Sequence, residues 1–381
     1  MLLSDSFVRN CQKLDRTVEK AYHLDMFEPA KRSSVNCNFC LVRKKHDTEE
    51  LKFVNISIED EYTEEIKRSI VDFDSFPETK GYFNLVTIST KVNKCAVLET
   101  IWNEGKRESY ILKVYGEKTK AYLDRSIMII MMQNMVGKQF FNSRLVTVFN
   151  NAAAYQFYKG RELCRPIKTI HWQESANLVA ALHRMPLSCY PGDISRPCIY
   201  GVFEKMLNLL DGLNLKNLEV ENLSKEMFQT QFSWLIGEIG LLNFEMVICH
   251  NDLRPSNFVY GDDGLKIIDY ELCGPNYWIY DLANLICEYS VILPLMYGFY
   301  PYEPIQNQWM EVYLPQFEST KNMDYEFVRT NLRLFILLSH LFWSLWATVH
   351  YFDQNPDYDF KTVVKIRLSE YKRIKGEVYK D

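Results

Sequence analysis

No block of like charge, no regular cysteine pattern and no apolar run of membrane-spanning length is found in this 381-residue chain. Each absence closes off a class of protein. The 44 Lys and Arg are scattered among 49 Asp and Glu, for a formal net charge of −5. The chain therefore carries no electrostatic footprint for nucleic acid. Its ten cysteines have no repeated spacing, which argues against a disulfide framework and fits reduced thiols in the cytoplasm. Cys37-Asn38-Phe39-Cys40, with His46 nearby, is a lone CxxC; a zinc site would need a second pair, and none follows. The apolar stretches 127–136 and 334–349 both fall short of about twenty residues. Ser339, His340 and Ser344 also interrupt the second, so both are expected to be buried helices and no transmembrane segment is expected. The opening residues lack a basic region followed by an apolar core, and no signal peptide is expected. Internal repeats and low-complexity tracts are missing too.

What remains is a chain that is 47% apolar and 14% aromatic, ample for a large core and more natural as two lobes than as one. Residues 1–80 are charge-rich and weakly periodic, and predict a solvated extension with a few short helices. From residue 82 the pattern turns to strands at 83–88, 95–102 and 108–115. A Met-rich helix over 124–135 follows, then a strand pair at 145–149 and 153–158. Beyond Gly160 the chain is mainly helical, apart from strands between 246 and 270. These elements predict an α+β, bilobal architecture. Residues 81–160 are expected to form a small β-sheet N-lobe, and residues 161–381 a large, mainly helical C-lobe joined to it by a hinge near 156–161.

The most informative stretch is His250-Asn251-Asp252-Leu253-Arg254-Pro255-Ser256-Asn257, followed by Ile268-Asp269-Tyr270-Glu271. One carboxylate, an amide five residues later and a second carboxylate twelve beyond it are the groups that phosphoryl transfer from a nucleotide needs. One carboxylate takes the proton of the attacking hydroxyl, and the other two side chains hold Mg²⁺ against the phosphate tail. The spacing from Asp252 to Asn257 is that of the protein-kinase catalytic loop, and the fold it implies is protein-kinase-like. The oxygen ligands suit Mg²⁺ better than a softer metal.

A protein kinase would carry Asp-Phe-Gly where this chain has Asp269-Tyr270-Glu271. With Asn276-Tyr277, Asp281-Leu282-Ala283-Asn284 and Glu288, the stretch instead resembles the choline/ethanolamine kinase family. Tyr115-Gly116-Glu117-Lys118-Thr119 and Leu123-Asp124-Arg125 are similar to the ethanolamine-kinase branch. The run from Ser339 through Trp343 to Trp346, with Asp357-Tyr358-Asp359-Phe360, looks like the family's C-terminal substrate helices. The resemblance covers roughly 82–372 and implies ATP- and Mg²⁺-dependent phosphorylation of ethanolamine, a step of phospholipid biosynthesis, with choline as the alternative substrate. It also implies a small amino-alcohol partner and a homodimer.

By that resemblance Asp252 is the catalytic base, Asn257 and Asp269 hold Mg²⁺, and Glu271 is a ligand for a second ion. Lys113, on a strand, projects towards phosphate, and Asn93 belongs to the phosphate loop. Gln156 and Tyr158 lie in the hinge that meets adenine. Asp281 braces the catalytic loop and His183 is structural. Glu288 faces the substrate cation, while Trp343 and Trp346, three apart on one helix face, form a cation–π wall.

Four departures bear on this. The phosphate loop, Ser89-Thr90-Lys91-Val92-Asn93-Lys94, has lost its glycine, so its backbone comes less close to phosphate. Residues 125–142 hold no acid to pair with Lys113, leaving it unpaired or dependent on Asp124. Leu272 and Val363 stand where the family has tyrosines, and fewer aromatic walls favour a primary over a quaternary ammonium. These losses keep open a degenerate kinase acting as a binding or regulatory protein. An antibiotic phosphotransferase on the same fold fits less well, because it has no need of Asp-Tyr-Glu, Glu288 or the Trp pair.

Overall fold

The computed structural model describes residues 52–54, 82–88, 92–101, 107–141, 143–163, 172–291, 303–353 and 358–378. The predicted Cys37–Cys40 motif and His46 lie outside them. Strands β2 (Tyr82–Ile88), β3 (Lys94–Ile101) and β4 (Arg107–Val114) form an antiparallel meander, each within a residue or so of the sequence expectation. β5 (Leu145–Phe149) and β6 (Ala152–Gln156) complete the sheet, with β6 beside β4. One strand was not foreseen. β1 (Lys52–Val54), from the stretch expected to hold only short helices, runs parallel to β5 at the edge, giving the order β1-β5-β6-β4-β3-β2.

Helix α1 (Arg125–Met135) packs with the sheet through Met128, Met131, Met132 and Met135, all buried. That spacing is one apolar face of a helix, and unbranched methionines fill irregular gaps well. Asp124 caps the helix by accepting from the Ser126 N–H at 2.9 Å. The capping role uses the carboxylate that the sequence offered as a partner for Lys113.

The chain leaves the small lobe through residues 157–159 and β7 (Gly160–Glu162). β7 pairs with β9 (Phe258–Gly261), which pairs with β10 (Gly264–Ile267). A Cβ at Gly160 would lie 2.6 Å from the Tyr260 carbonyl oxygen, so the crossing requires glycine. Beyond it lie α2 (Trp172–His183), α3 (Cys198–Asn208), α4 (Lys225–Gly240), α5 (Trp278–Val291), α6 (Glu303–Tyr313), α7 (Tyr325–Tyr351) and α8 (Phe360–Val378). A two-stranded ribbon of β8 (Met246–Cys249) and β11 (Gly274–Tyr277) sits among them. The result is the expected bilobal α+β fold.

The apolar stretch 334–349 forms part of the 27-residue α7. Among the described residues α7 is the one helix long and apolar enough to cross a membrane, yet 89% of its most apolar window is buried inside the fold. It is the axis of the large lobe, with α4, α5 and α8 packed around it. Beside it the rings of Trp278, Tyr313 and Trp309 stack in series, with centroids 5.1 and 4.7 Å apart.

Polar ties join the lobes. Lys113 on β4 reaches Asp269 at 2.7 Å and Glu271 at 3.0 Å, and Arg125 reaches the same Glu271 oxygen at 3.0 Å. Nearby, Lys118 meets Asp353 at 2.5 Å and the Val349 carbonyl at 3.1 Å, and the Tyr122 hydroxyl meets His350 Nε2 at 2.9 Å. These contacts fix the first turn of the small lobe's helical segment to the C-terminal end of α7.

Two outcomes are expected. Trp309→Ala removes one end of the ring stack and should cost about 3–5 kcal/mol in chemical unfolding; a loss under about 1 kcal/mol would show the stack to be incidental. The second concerns acid. Burial alone would push the Glu271 carboxyl up, but Lys113 and Arg125 outweigh it and hold it at about 2, below the ordinary 4.5. A depressed carboxyl stabilises the fold above its unfolded value, and the contribution is lost as pH falls through the folded one. The stability gap between the wild type and Glu271→Gln should therefore be largest at neutral pH and close between pH 4.5 and 2. A gap independent of pH contradicts the ion-pair account.

Candidate active site

The catalytic loop follows β8 and is held from below by a buried carboxylate. Asp281, in the first turn of α5, accepts the backbone N–H of His250 at 2.7 Å and that of Asn251 at 2.8 Å. His183 Nε2, at the end of α2, reaches the same carboxylate at 3.0 Å, and its Nδ1 meets the Tyr313 hydroxyl at 2.6 Å. Both expected supporting residues thus sit under the loop. The clamp permits a left-handed backbone at Asn251, whose φ is +66°, a conformation that strains a residue other than glycine. Asn251 is pinned further by its Nδ2 to the Leu272 carbonyl at 2.9 Å and by Asn276 Nδ2 to its Oδ1 at 2.8 Å.

His250 joins the two halves of the motif. Its Nδ1 accepts the Asp252 N–H at 3.2 Å, so Nε2 carries the proton and donates to the Ile268 carbonyl at 2.9 Å. Burial lowers its pKa, against the pull of Asp281, and favours this neutral tautomer. From the other side the Ile268 N–H donates to the Asn257 carbonyl at 2.9 Å. The segment that ends in Asp269 is therefore bonded directly to the residue bearing the motif's amide. Asp269 is also left-handed, with φ +68°, a second strained position at the same site.

Asn257 Nδ2 donates to the Asp252 carbonyl at 2.8 Å and faces the Asp252 carboxylate at 3.3 Å. Its Oδ1 is left as an acceptor that the loop does not use. With one Asp269 oxygen on Lys113, the other and the Asn257 amide oxygen form a hard-oxygen donor pair of the kind Mg²⁺ takes. These side chains fit the ion. Glu271, expected as a ligand for a second ion, places one carboxylate oxygen on both Lys113 and Arg125. Lys113 is thus doubly paired, and neither partner is the expected Asp124. Its two carboxylates raise its pKa despite burial, so it is a fixed cation. Asn93 directs its amide oxygen to the Gly116 N–H at 3.1 Å, supporting the turn after β4. In the hinge, Gln156 is exposed and its N–H is taken by the Arg144 carbonyl at 2.8 Å, while the Tyr158 hydroxyl donates to the Gly264 carbonyl at 2.8 Å.

The expected amine pocket adjoins the loop. Asn284 Nδ2 donates to the Leu253 carbonyl at 3.0 Å, and its Oδ1 accepts from Trp343 Nε1 and Ser339 Oγ, each at 2.7 Å. One buried amide thus sets the catalytic loop and the first indole relative to each other. Trp346 lies 5.5 Å from Trp343, ring to ring, with Tyr358 and Phe360 around it. Glu288 is buried and bonded to Arg367 of α8. Arg125, Arg254, Arg367 and the linking role of His250 were missed from sequence. A signal for Arg367 existed: it falls on the same buried face of α8 as Val364, Leu368 and Tyr371, where a charge needs a partner.

Known proteins resemble the chain in sequence and in fold. The chain is 26% identical over 310 residues to ethanolamine kinase 1 of Mus musculus, covering 76% of this chain and 82% of that one. It is 27% identical over 299 residues to ethanolamine kinase 2 of Rattus norvegicus, covering 76% and 75%. In fold it resembles an ethanolamine kinase of Plasmodium vivax, with a TM-score of 0.63 at 19% identity over 77% of this chain and 82% of that chain. The choline kinase LicA of Streptococcus pneumoniae gives 0.56 at 18% over 77% and 93%. The family model for choline/ethanolamine kinase matches residues 85–372, and the chain belongs to that family.

Proposed function

We propose that the protein is an ethanolamine kinase, transferring the γ-phosphoryl group of ATP to the hydroxyl of ethanolamine to give phosphoethanolamine and ADP. The observation that carries this reading is the bonded unit of Asp252, Asn257 and the Asp269 segment, with Asn284 linking it to Trp343. Ethanolamine kinases among the similar sequences support the same choice of acceptor.

The Asp252 carboxylate orients the acceptor hydroxyl and takes its proton as the hydroxyl oxygen bonds to the γ-phosphorus. The bond from that phosphorus to the β,γ-bridging oxygen breaks, and ADP leaves with the electron pair. Lys113, held over the cleft by Asp269 and Glu271, supplies a cation to the phosphate tail. Asn257 and Asp269 would hold Mg²⁺, which would supply charge to neutralise the phosphates. Trp343 and Trp346 offer π-faces to the ammonium group, each worth about 0.5–2 kcal/mol when well placed. Glu288 adds a carboxylate whose charge is already balanced by Arg367, so the rings and hydrogen bonds carry more of the selectivity than net charge does. A cytoplasmic site of action is supported by the free thiols of the described cysteines. Homodimerisation rests on the family resemblance.

The purified protein with Mg²⁺ and ATP should phosphorylate ethanolamine with a higher kcat/KM than choline or the methylated intermediates. Turnover of none of them, or a clear preference for choline, overturns the proposed substrate. Asp252→Asn should lower kcat by about 10²–10⁴-fold without lowering the melting temperature. Retained turnover in that variant removes Asp252 from the role of base.

A further inference from the structure

Arg254 stands two residues beyond Asp252 on the catalytic loop. Its backbone is extended, with φ −148° and ψ 157°, where the loop turns into a short 3-10 helix at Pro255–Asn257. Three other described cations of the cleft are committed. Lys113 is held by Asp269 and Glu271, Arg125 by Glu271, and Arg367 by Glu288. Arg254 is not. Its Nε is buried without a hydrogen-bond partner, and no ion pair ties its guanidinium to another described residue. Burial would lower its pKa, but Glu288, Asp252 and Asp269 together hold it up, so it stays charged. Those carboxylates also mark its surroundings: the pocket acid, the base and the Mg²⁺ ligand. Phosphoryl transfer to a hydroxyl oriented by Asp252 takes place beside that loop.

We propose that Arg254 is a catalytic residue that donates hydrogen bonds to the phosphoryl group during its transfer. The proposal rests on the kinase reading above and deepens it. A planar guanidinium presents several donors to phosphate oxygens at once. Such a group beside the base meets the charge that spreads over the equatorial oxygens as the bond to ADP breaks. It also supplies from the large lobe what the glycine-free loop at 89–94 supplies less well from the small lobe.

The test is calorimetric binding of MgADP, with and without fluoroaluminate as the phosphoryl mimic, to wild type, Arg254→Ala and Arg254→Lys. Wild type should bind MgADP more tightly when fluoroaluminate is present. Arg254→Ala should lose most of that tightening while keeping its affinity for MgADP alone, and Arg254→Lys should keep part of it. In turnover, Arg254→Ala should lose on the order of 10³-fold in kcat, with free guanidinium restoring part of the loss. Should the alanine variant fail to fold, the lysine variant decides alone: fluoroaluminate tightening equal to wild type overturns the proposal. So does a defect confined to KM for the amino alcohol, which would make Arg254 a pocket residue. Wild type that fails to bind MgADP defeats the kinase reading itself. Wild type that binds it, with unchanged variants, defeats only this inference.

Discussion

The site depends on one buried carboxylate. Asp281 satisfies two consecutive backbone N–H groups of the catalytic loop, and no water is needed to do it because the carboxylate and both donors are enclosed. An enclosed, unsatisfied N–H is costly, so the loop has one low-energy path, and it is the path that turns Asn251 left-handed. That turn delivers Asp252 to the cleft. His250, whose N–H is one of the two held, then uses its ring to hold Ile268, and Asp269 follows. Base and metal ligand are separated by sixteen residues of chain, but they are positioned by a network only a few bonds long.

Charge is arranged in the cleft with the same economy. Carboxylates and cations alternate from the small-lobe sheet to α8: Lys113, Asp269, Glu271 and Arg125 on one side, and Glu288 with Arg367 on the other. Breaking one partner of such a buried pair leaves a stranded charge, which costs far more than the pair itself contributes. The lobes are therefore held in register by interactions that must be exchanged rather than simply lost when phosphate arrives. Lys113 can leave Asp269 for a phosphate oxygen and remain on Glu271. The α1 helix lacks an acid for this purpose, and the Glu of the Asp-Tyr-Glu motif serves Lys113 instead.

What could be read from the sequence was what is local. The spacing from Asp252 through Asn257 to Asp269 is a property of contiguous chain, and the strand and helix periods around it give the sheet lobe and the helical lobe within a residue or two. The Trp343 and Trp346 pair could be seen because i,i+3 spacing puts both on one helix face. Long-range pairing was hidden. Nothing near Glu271 in sequence marks it as the partner of Lys113 and Arg125, which come from elements more than a hundred residues away. β1 was invisible because three residues at a sheet edge carry too short a pattern to register. Arg254 carries no signal of its own in contiguous sequence, because the Asp and the Asn on either side already account for the loop's chemistry.

A crystal structure of the complex with Mg²⁺, a non-hydrolysable ATP analogue and ethanolamine tests the central claim most directly. The account predicts a cation held jointly by Asn257 Oδ1 and the Asp269 carboxylate, the ethanolamine hydroxyl within hydrogen-bond reach of Asp252, and the ammonium group against Trp343 and Trp346. A cation bound away from Asn257 and Asp269, or a hydroxyl pointing away from Asp252, contradicts it.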